Sequence, residues 1–364
     1  MRLWGCLAAL PLLFAPLRAQ TAAGPQRVIY DDDCSQDNDC VATLPILFQL
    51  ASRGEIQILA MVADSANPLS APVFRVFARQ AGRAEMPIGA NQGSDPATPL
   101  CAVGKCNESD WTEKLIERFD PRDTRARYPD CVTVYRKALA GQPEHSVSIV
   151  ETGFATCLNQ LLVSAPDAIS PLTGAALLKR TVKMLSIMGG RYPAGTEWNF
   201  RSDAEGYGVL FATWTAQNGF PPVYLNGFAN GEHVLAGPPA SAQATVDPTA
   251  YGMQLCGVKQ RPMWDVLSAL YAAWGLTYKG TTYFTLSKPG TVTVDPKTGE
   301  DTWSEAMDSG HFVLTNAASD EAFSALLDGY AHDTGFLAKP AAGPRSPSTP
   351  GEAAPGVPPG GSSR

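Results

Sequence analysis

The sequence predicts an α/β fold: an open, mostly parallel sheet with helices on both faces and a Rossmann-like core. Short apolar runs alternate along the chain with longer segments of helical periodicity, and this βαβα order is typical of a parallel sheet. The run at residues 56–63 is apolar at nearly every position. A parallel strand that is covered by helices on both faces is expected to have this composition.

The individual elements are predicted from where apolar periodicity begins and where it is interrupted. Gly54 and Gly82 stop the first two helices. In order, the predicted elements are a strand at 27–30, a helix at 41–52, a strand at 56–63, a helix at 69–81, a strand at 87–89, a helix at 132–140, a strand at 147–150, a helix at 155–163, a strand at 184–188, a helix at 204–217, a strand at 223–225, a buried helix at 265–274 and a hairpin at 281–294.

Composition limits the classes of partner and predicts export. The 364 residues, 45% of them hydrophobic, suffice for one large α/β domain. A formal net charge of -7 argues against nucleic acid or an anionic membrane as the main partner, and favours a cation or a neutral polar ligand. Arg2, the short apolar run at 3–17 and the small-residue site at 17–19 predict a signal peptide over residues 1–22. We therefore expect a periplasmic or secreted protein.

The end of the chain and the cysteines complete the expected organisation. Residues 338–364 are rich in Pro, Gly and Ser and are predicted to form a disordered tail, which leaves one folded domain over 26–337. The cysteines that follow the signal peptide are odd in number, so at least one free thiol is expected, and Cys101 with Cys106 is the favoured disulfide pair. The absence of any C-x-x-C pair argues against a zinc site, and the histidines are predicted to lie on the surface or in loops. Whether the chain forms a homo-oligomer stays open.

An aspartate-rich run follows the first predicted strand. Its carboxylates are Asp31, Asp32, Asp33, Asp37 and Asp39, directly before a predicted helix. Ligand sites in open α/β sheets gather at the carboxyl ends of strands, so the position favours a site for a divalent cation or a polar substrate. A solvated acidic loop is the alternative. We expect Asp31 to be structural and Asp32 to point to solvent.

Polar clusters also follow other predicted strands, and their order carries a resemblance. They are Asp64 to Asn67, Glu151-Thr152-Gly153, Gly189-Gly190 with Glu197-Trp198-Asn199, and Asp265 at the start of an apolar helix. Together with the run D-D-D-C-S-Q-D-N-D-C, these motifs resemble the inosine-uridine-preferring nucleoside hydrolase family, of which the chain looks like a divergent, exported member. The matching family motifs are D-T-D-x-G-x-D-x-D-D, V-P-T-G, L-M-G-G, A-E-F-N and H-D-P, over about residues 27–274.

The resemblance implies an N-ribohydrolase that binds Ca²⁺ and a nucleoside or related riboside. It implies that Asp33 is the general base that activates water. The metal ligands that it implies are Asp33, Asp37, Asp39, the carbonyl of Thr152 and Asp265. The substrate-binding residues that it implies are Asp39, Asn67, Met188, Glu197, Asn199 and Trp264.

The chain departs from the family pattern at three positions. Cys40 stands where the family has the last aspartate of its first motif, Ser35 where it has glycine, and Trp264 where it has histidine. A thiol is a poor ligand for a hard cation, so Asp37 or Asp39 is expected to take over that role. An exported, catalytically degenerate riboside-binding protein of the same fold is the alternative, and a phosphotransfer enzyme of the haloacid dehalogenase type is a further one.

Overall fold

The computed structural model describes residues 24–34, 38–93, 111–123 and 127–333. The predicted signal peptide, the predicted tail, the Cys101–Cys106 pair and Asp37 lie outside the described residues. Within them, no helix is long and apolar enough to cross a membrane.

The main sheet has eight strands and is mostly parallel, which confirms the predicted fold class. Its order is β12-β15-β7-β5-β4-β1-β2-β3, and only β12 runs antiparallel to its neighbour. The strands of this sheet are β1 (Gln26–Asp32), β2 (Ile56–Ala63), β3 (Ile88–Ala90), β4 (Val147–Glu151), β5 (Val182–Met188), β7 (Val223–Asn226), β12 (Phe284–Leu286) and β15 (His311–Asn316). The smaller sheets are formed by β6 (Ala194–Thr196), β8 (Leu235–Ala236), β9 (Arg261–Pro262), β10 (Thr277–Tyr278), β11 (Thr281–Thr282), β13 (Thr291–Val294) and β14 (Glu300–Ser304).

Helices cover both faces of the main sheet, and each face has its own apolar core. The helices are α1 (Cys40–Ser52), α2 (Ser70–Gln80), α3 (Trp111–Phe119), α4 (Cys131–Ala140), α5 (Thr156–Leu162), α6 (Gly174–Thr181), α7 (Trp198–Ser202), α8 (Ala204–Thr213), α9 (Phe228–Gly231), α10 (Pro248–Leu255), α11 (Trp264–Trp274) and α12 (Asp320–Ala331). One core packs α1, α2, α11 and α12 against the sheet, and we call this side the α11 face. The other packs α4, α5, α6 and α8, and we call it the α4 face.

The chain reverses its direction of travel across the sheet next to β1. From β1 it moves through β2 to β3 at one edge, and it then returns to place β4 on the other side of β1. The helical connections after β1 and after β4 therefore diverge at the carboxyl ends of these two strands. In open α/β sheets such a switch point leaves a crevice in which ligands bind.

The structure corrects several predicted elements late in the chain. Residues 281–294 do not form one hairpin, because β11, β12 and β13 pair with three different strands. The helix predicted at 204–217 ends at Thr213, and β14, β15 and α12 were not predicted. His311 is fully buried, with Nε2 2.8 Å from the carbonyl oxygen of Trp214, so the expectation of a surface or loop position is wrong for this histidine.

Candidate active site

The strand alternation of β1 separates two neighbouring aspartates. Successive residues of a strand point to opposite faces of the sheet. Ile29 belongs to the α4-face core and Tyr30 to the α11-face core. Asp31 accordingly points to the α4 face, where the Tyr135 hydroxyl donates to its Oδ2. Asp32 lies on the α11 face and is 1% exposed, so the expectation that it points to solvent is wrong.

Asp32 lies beside Thr152, across the switch point. Thr152 directly follows β4, and its hydroxyl is 3.2 Å from Asp32 Oδ1 and 3.2 Å from the Tyr30 hydroxyl. Burial raises the pKa of Tyr30 well above its usual value, and the charges of Asp32, Asp265 and Asp39 raise it further. Three carboxylates from three separate elements thus converge on one buried phenol.

Two of these carboxylates are placed by the beginnings of helices. Asp39 precedes α1 and caps it by accepting from the Cys40 backbone N–H at 2.9 Å. Asp265 lies in the first turn of α11 and is 3% exposed. The positive end of a helix dipole attracts negatively charged groups, and both side chains lie at such an end.

Asn199 connects the predicted ligand carbonyl to β5. Its Nδ2 donates to the Thr152 carbonyl oxygen at 3.1 Å, and lies 3.4 Å from both the carbonyl oxygen and the sulfur of Met188. Glu197 caps α7 and accepts from the backbone N–H groups of Asn199, Phe200 and Gly190. Burial raises the pKa of Glu197, whereas these backbone donors lower it. The structure therefore brings Thr152, Met188, Glu197 and Asn199 together.

An aromatic group stands beside Asp265. The Trp264 ring lies 5.0 Å from the ring of Phe228, and its Nε1 donates to the Phe228 carbonyl oxygen at 3.0 Å. The guanidinium of Arg191 lies 3.8 Å from the centre of the Phe228 ring. Sequence reasoning found Trp264 but missed Phe228 and Arg191, because nothing in the sequence places residues 191, 228 and 264 next to each other.

The remaining predicted residues are less deeply enclosed. Asp33 is partly exposed, unlike Asp31, Asp32 and Asp39. Its backbone carbonyl accepts from the Ser70 hydroxyl at 3.0 Å. Asn67 is also partly exposed, and its Oδ1 accepts from the Leu69 backbone N–H at 2.8 Å.

Cys40 forms a disulfide with Cys34. Cys40, which stands at the family's last aspartate position, is therefore a half-cystine and not a thiol, and the bond joins it to a residue within the aspartate-rich run. A second disulfide joins Cys131 to Cys157 on the α4 face, and Cys256 is disulfide-bonded as well. Sequence could not assign these pairings, because spacing alone does not fix connectivity.

The oxygen atoms at the switch point suit a hard divalent cation. Carboxylates of Asp32, Asp39 and Asp265 and the carbonyl of Thr152 are the ligand types that Ca²⁺ prefers. The Cys34–Cys40 disulfide offers no such ligand. Sequence reasoning missed Asp32 and Tyr30 here; the alternation along β1 was the signal that could have found them.

Solved structures of similar fold are nucleoside hydrolases and related proteins. The plant nucleoside hydrolase PpNRh1 has a TM-score of 0.59 at 14% identity, covering 85% of this chain and 99% of that chain. The purine-preferring ribonucleoside hydrolase from Gardnerella vaginalis has a TM-score of 0.62 at 14% identity, with the same coverage. The type III effector protein XopQ, complexed with adenosine diphosphate ribose, has a TM-score of 0.58 at 16% identity, covering 86% of this chain and 94% of that chain.

These likenesses show the fold: the chain has the α/β fold of nucleoside hydrolase structures. The comparison with family models gives no match. The comparison with curated proteins gives none either.

Proposed function

We propose that this protein hydrolyses the N-glycosidic bond of a nucleoside or related riboside. The observation that carries the proposal is that Asp32, Asp39 and Asp265 lie close enough to Tyr30 for their charges to raise its pKa, beside the Thr152 hydroxyl and at the switch point of the sheet. The fold shared with nucleoside hydrolase structures supports the same reaction class. We also propose that the protein is exported through its signal peptide and that it belongs to the inosine-uridine-preferring nucleoside hydrolase family.

The proposed cation is Ca²⁺, held by Asp32, Asp39, Asp265 and the Thr152 carbonyl. The resemblance adds Asp33 and Asp37 to this set. When bound, the cation supplies positive charge that orients a water molecule and lowers its pKa.

Asp33 is the proposed general base. It is the carboxylate at the end of β1 that solvent reaches, so it can accept a proton from water that enters the site. Cleavage of a glycosidic bond passes through an oxocarbenium-like state, and the carboxylates around it stabilise the developing positive charge. Asp39, Asn67, Glu197 and Asn199 are the proposed sugar-binding residues, with Met188 lining the pocket.

Trp264 takes the place of the family's histidine and binds the base by stacking. Its ring lies against Phe228, which Arg191 covers, so the aromatic pair is fixed in place. Stacking on an aromatic ring is tolerant of base identity. We therefore propose a broad preference for the base.

The experiment is turnover of a riboside panel by the purified protein with saturating Ca²⁺. We expect release of free base, and a fall in kcat of about 100- to 10,000-fold for Asp33→Asn. Glu232→Gln is the matched control, because Glu232 is an exposed carboxylate that has no proposed role in the site. Turnover that Asp33→Asn leaves unchanged would contradict the assignment of Asp33, and absence of any turnover would contradict the proposal.

Binding of a riboside without hydrolysis is the second candidate function. Two observations favour it: the disulfide at the position of the family's last aspartate, and the fold shared with XopQ, which was solved complexed with adenosine diphosphate ribose. Thermal stabilisation by adenosine diphosphate ribose with no product, in protein that turns over no riboside, is the result that distinguishes it from the hydrolase.

A further inference from the structure

A second set of potential metal ligands lies between β1 and the beginning of α1. Ligand atoms of Asp32, Cys34 and Cys40 all lie within 4.8 Å of one another. The three side chains are 1%, 2% and 0% exposed. The two sulfurs form a disulfide, so they cannot bind a metal as thiolates while the bond is intact.

We propose that reduction of the Cys34–Cys40 disulfide creates a binding site for a zinc-class cation, formed by the two thiolates and Asp32. Thiolate sulfur and carboxylate oxygen are both ligands that Zn²⁺ accepts. The Cα atoms of the two cysteines are 5.5 Å apart. Two sulfurs that bind one Zn²⁺ at tetrahedral positions are about 3.8 Å apart. The sulfurs therefore have to move apart once the bond opens, so that both can bind the same ion.

The redox step is a thiol–disulfide exchange with a dithiol reductant. The reductant supplies two electrons and two protons and becomes a disulfide itself, while the Cys34–Cys40 bond breaks into two thiols. Binding of the metal then displaces the two thiol protons to solvent. Three protein ligands leave a fourth tetrahedral position for water or substrate, as in catalytic zinc sites.

The state of the disulfide therefore selects the kind of cation. With the bond intact, the ligands around Asp32 are oxygens, which suit a hard cation. With the bond open, two soft sulfurs stand next to the same carboxylate, and zinc-class ions gain affinity. Because both sites use Asp32, the two cations exclude each other.

The test uses Co²⁺, whose bonds to thiolate give a charge-transfer absorption that bonds to oxygen lack. The folded protein is reduced with a dithiol, and alkylation with peptide mass spectrometry shows which disulfides have opened. We expect the cobalt–thiolate band in reduced protein only, its displacement by Zn²⁺, and its loss on reoxidation. Asp32→Asn should weaken Co²⁺ binding at least about 10-fold.

The matched variants compare Cys34–Cys40 with Cys131–Cys157, the two disulfides whose cysteines both lie among the described residues. Cys34→Ser/Cys40→Ser should abolish the band, whereas Cys131→Ser/Cys157→Ser should keep it. Three results would overturn the proposal. They are a band that persists in Cys34→Ser/Cys40→Ser, no band once Cys34 and Cys40 can be alkylated, and a Cys34–Cys40 disulfide that stays closed in the folded protein. If the first pair does not fold, the band's dependence on reduction and reoxidation of the natural sequence decides. No substrate is present, so failure here is distinguishable from failure of the hydrolase proposal.

Discussion

The two faces of the main sheet carry carboxylates at the same edge, but they surround them differently. On the α4 face the protein supplies dedicated donors: the Tyr135 hydroxyl to Asp31, and the Tyr207 hydroxyl to both oxygens of Glu151 at 2.8 and 2.7 Å. On the α11 face the Thr152 hydroxyl lies 3.2 Å from Asp32 Oδ1, and the charges of Asp32, Asp39 and Asp265 together raise the pKa of Tyr30. The α4 face thus gives its buried carboxyl groups phenol donors, whereas the α11 face gathers several carboxylates near one phenol, an arrangement that suits a cation.

Gly153 lies between the end of β1 and the Asp64 carboxyl group. A Cβ atom on this residue would lie 2.4 Å from the Asp33 backbone nitrogen and 2.5 Å from Asp64 Oδ2. Asp64 accepts from the Phe154 backbone N–H at 2.8 Å. Burial raises the pKa of Asp64 well above its usual value, and the charges of Asp31 and Asp33 raise it further. Only glycine fits between these groups, so the end of β1 and the α4-face carboxylates are held close together.

The disulfides give the largest expected contrast between the faces. Cys131–Cys157 closes a loop of 26 residues on the α4 face, and Cys34–Cys40 one of 6 on the α11 face. Loop-closure entropy predicts that Cys131→Ser/Cys157→Ser lowers the free energy of unfolding by about 3.5 kcal/mol and Cys34→Ser/Cys40→Ser by about 2 kcal/mol. Urea unfolding of both variants measures the difference. Equal losses, or a larger one for the shorter loop, would contradict the entropic account.

Exchanging one carboxylate on each face is expected to separate metal binding from stability. Asp32→Asn should lower Ca²⁺ affinity by about 100-fold, because the affected group is a proposed ligand. Asp31→Asn should leave the affinity within a few-fold, because an amide oxygen can still accept from the Tyr135 hydroxyl. Isothermal titration with Ca²⁺ compares the two. Equal affinity in both variants would show that the face of β1 does not decide which aspartate binds the ion.

The elements with strong local signals were predictable. Helical and strand periodicity placed β1, β2, β4 and α11 within a few residues of their observed bounds. The late strands were not predictable in the same way. Alternation at 281–294 indicates strands but not their partners, and β12 and β15 pair through contacts that are distant in sequence.

The site was predicted in outline, and its details depended on tertiary contacts. Strand ends indicated Thr152, Glu197, Asn199 and Asp265, since parallel strands bring their carboxyl ends to one edge. Which of Asp31 and Asp32 faces the crevice depends on the helices that cover each face. The Cys34–Cys40 bond likewise depends on how residues 34 and 40 are brought together, for which the sequence has no signal.

Tyr207→Phe tests whether the α4-face donors stabilise the fold. The Tyr207 hydroxyl donates to Glu151 and lies 2.9 Å from the Gly153 carbonyl oxygen. Its loss leaves the buried Glu151 side chain without that donor, so the free energy of unfolding should fall by about 1–3 kcal/mol. Tyr192→Phe is a matched control, since the Tyr192 hydroxyl donates to the Gly189 carbonyl oxygen rather than to a carboxylate. A smaller loss for Tyr207→Phe than for Tyr192→Phe would contradict this role.

The smallest expected effect concerns pH. Burial raises the pKa of Glu151 well above its usual value of 4.5, and the charge of Asp31 raises it further, while the Tyr207 hydroxyl opposes the shift. Above pH 4.5 the unfolded chain releases this proton and the folded chain retains it, so Glu151 lowers stability as pH rises towards its folded-state pKa. Glu151→Gln removes this contribution. The difference in free energy of unfolding, variant minus natural sequence, should therefore increase with pH from 4.5 upward.

Urea unfolding across this pH range measures that difference, with the exposed Glu232→Gln as control. Parallel curves for Glu151→Gln and the natural sequence would show that Glu151 is ionised in the folded protein at the low end of the range. A cation would then have to offset its charge on the α4 face, and the contrast between the two faces would disappear. Curves that diverge as expected would show that Glu151 keeps its proton in the folded protein. The α4 face would then need no cation, and the α11 face would remain the side on which the carboxylates suit an ion.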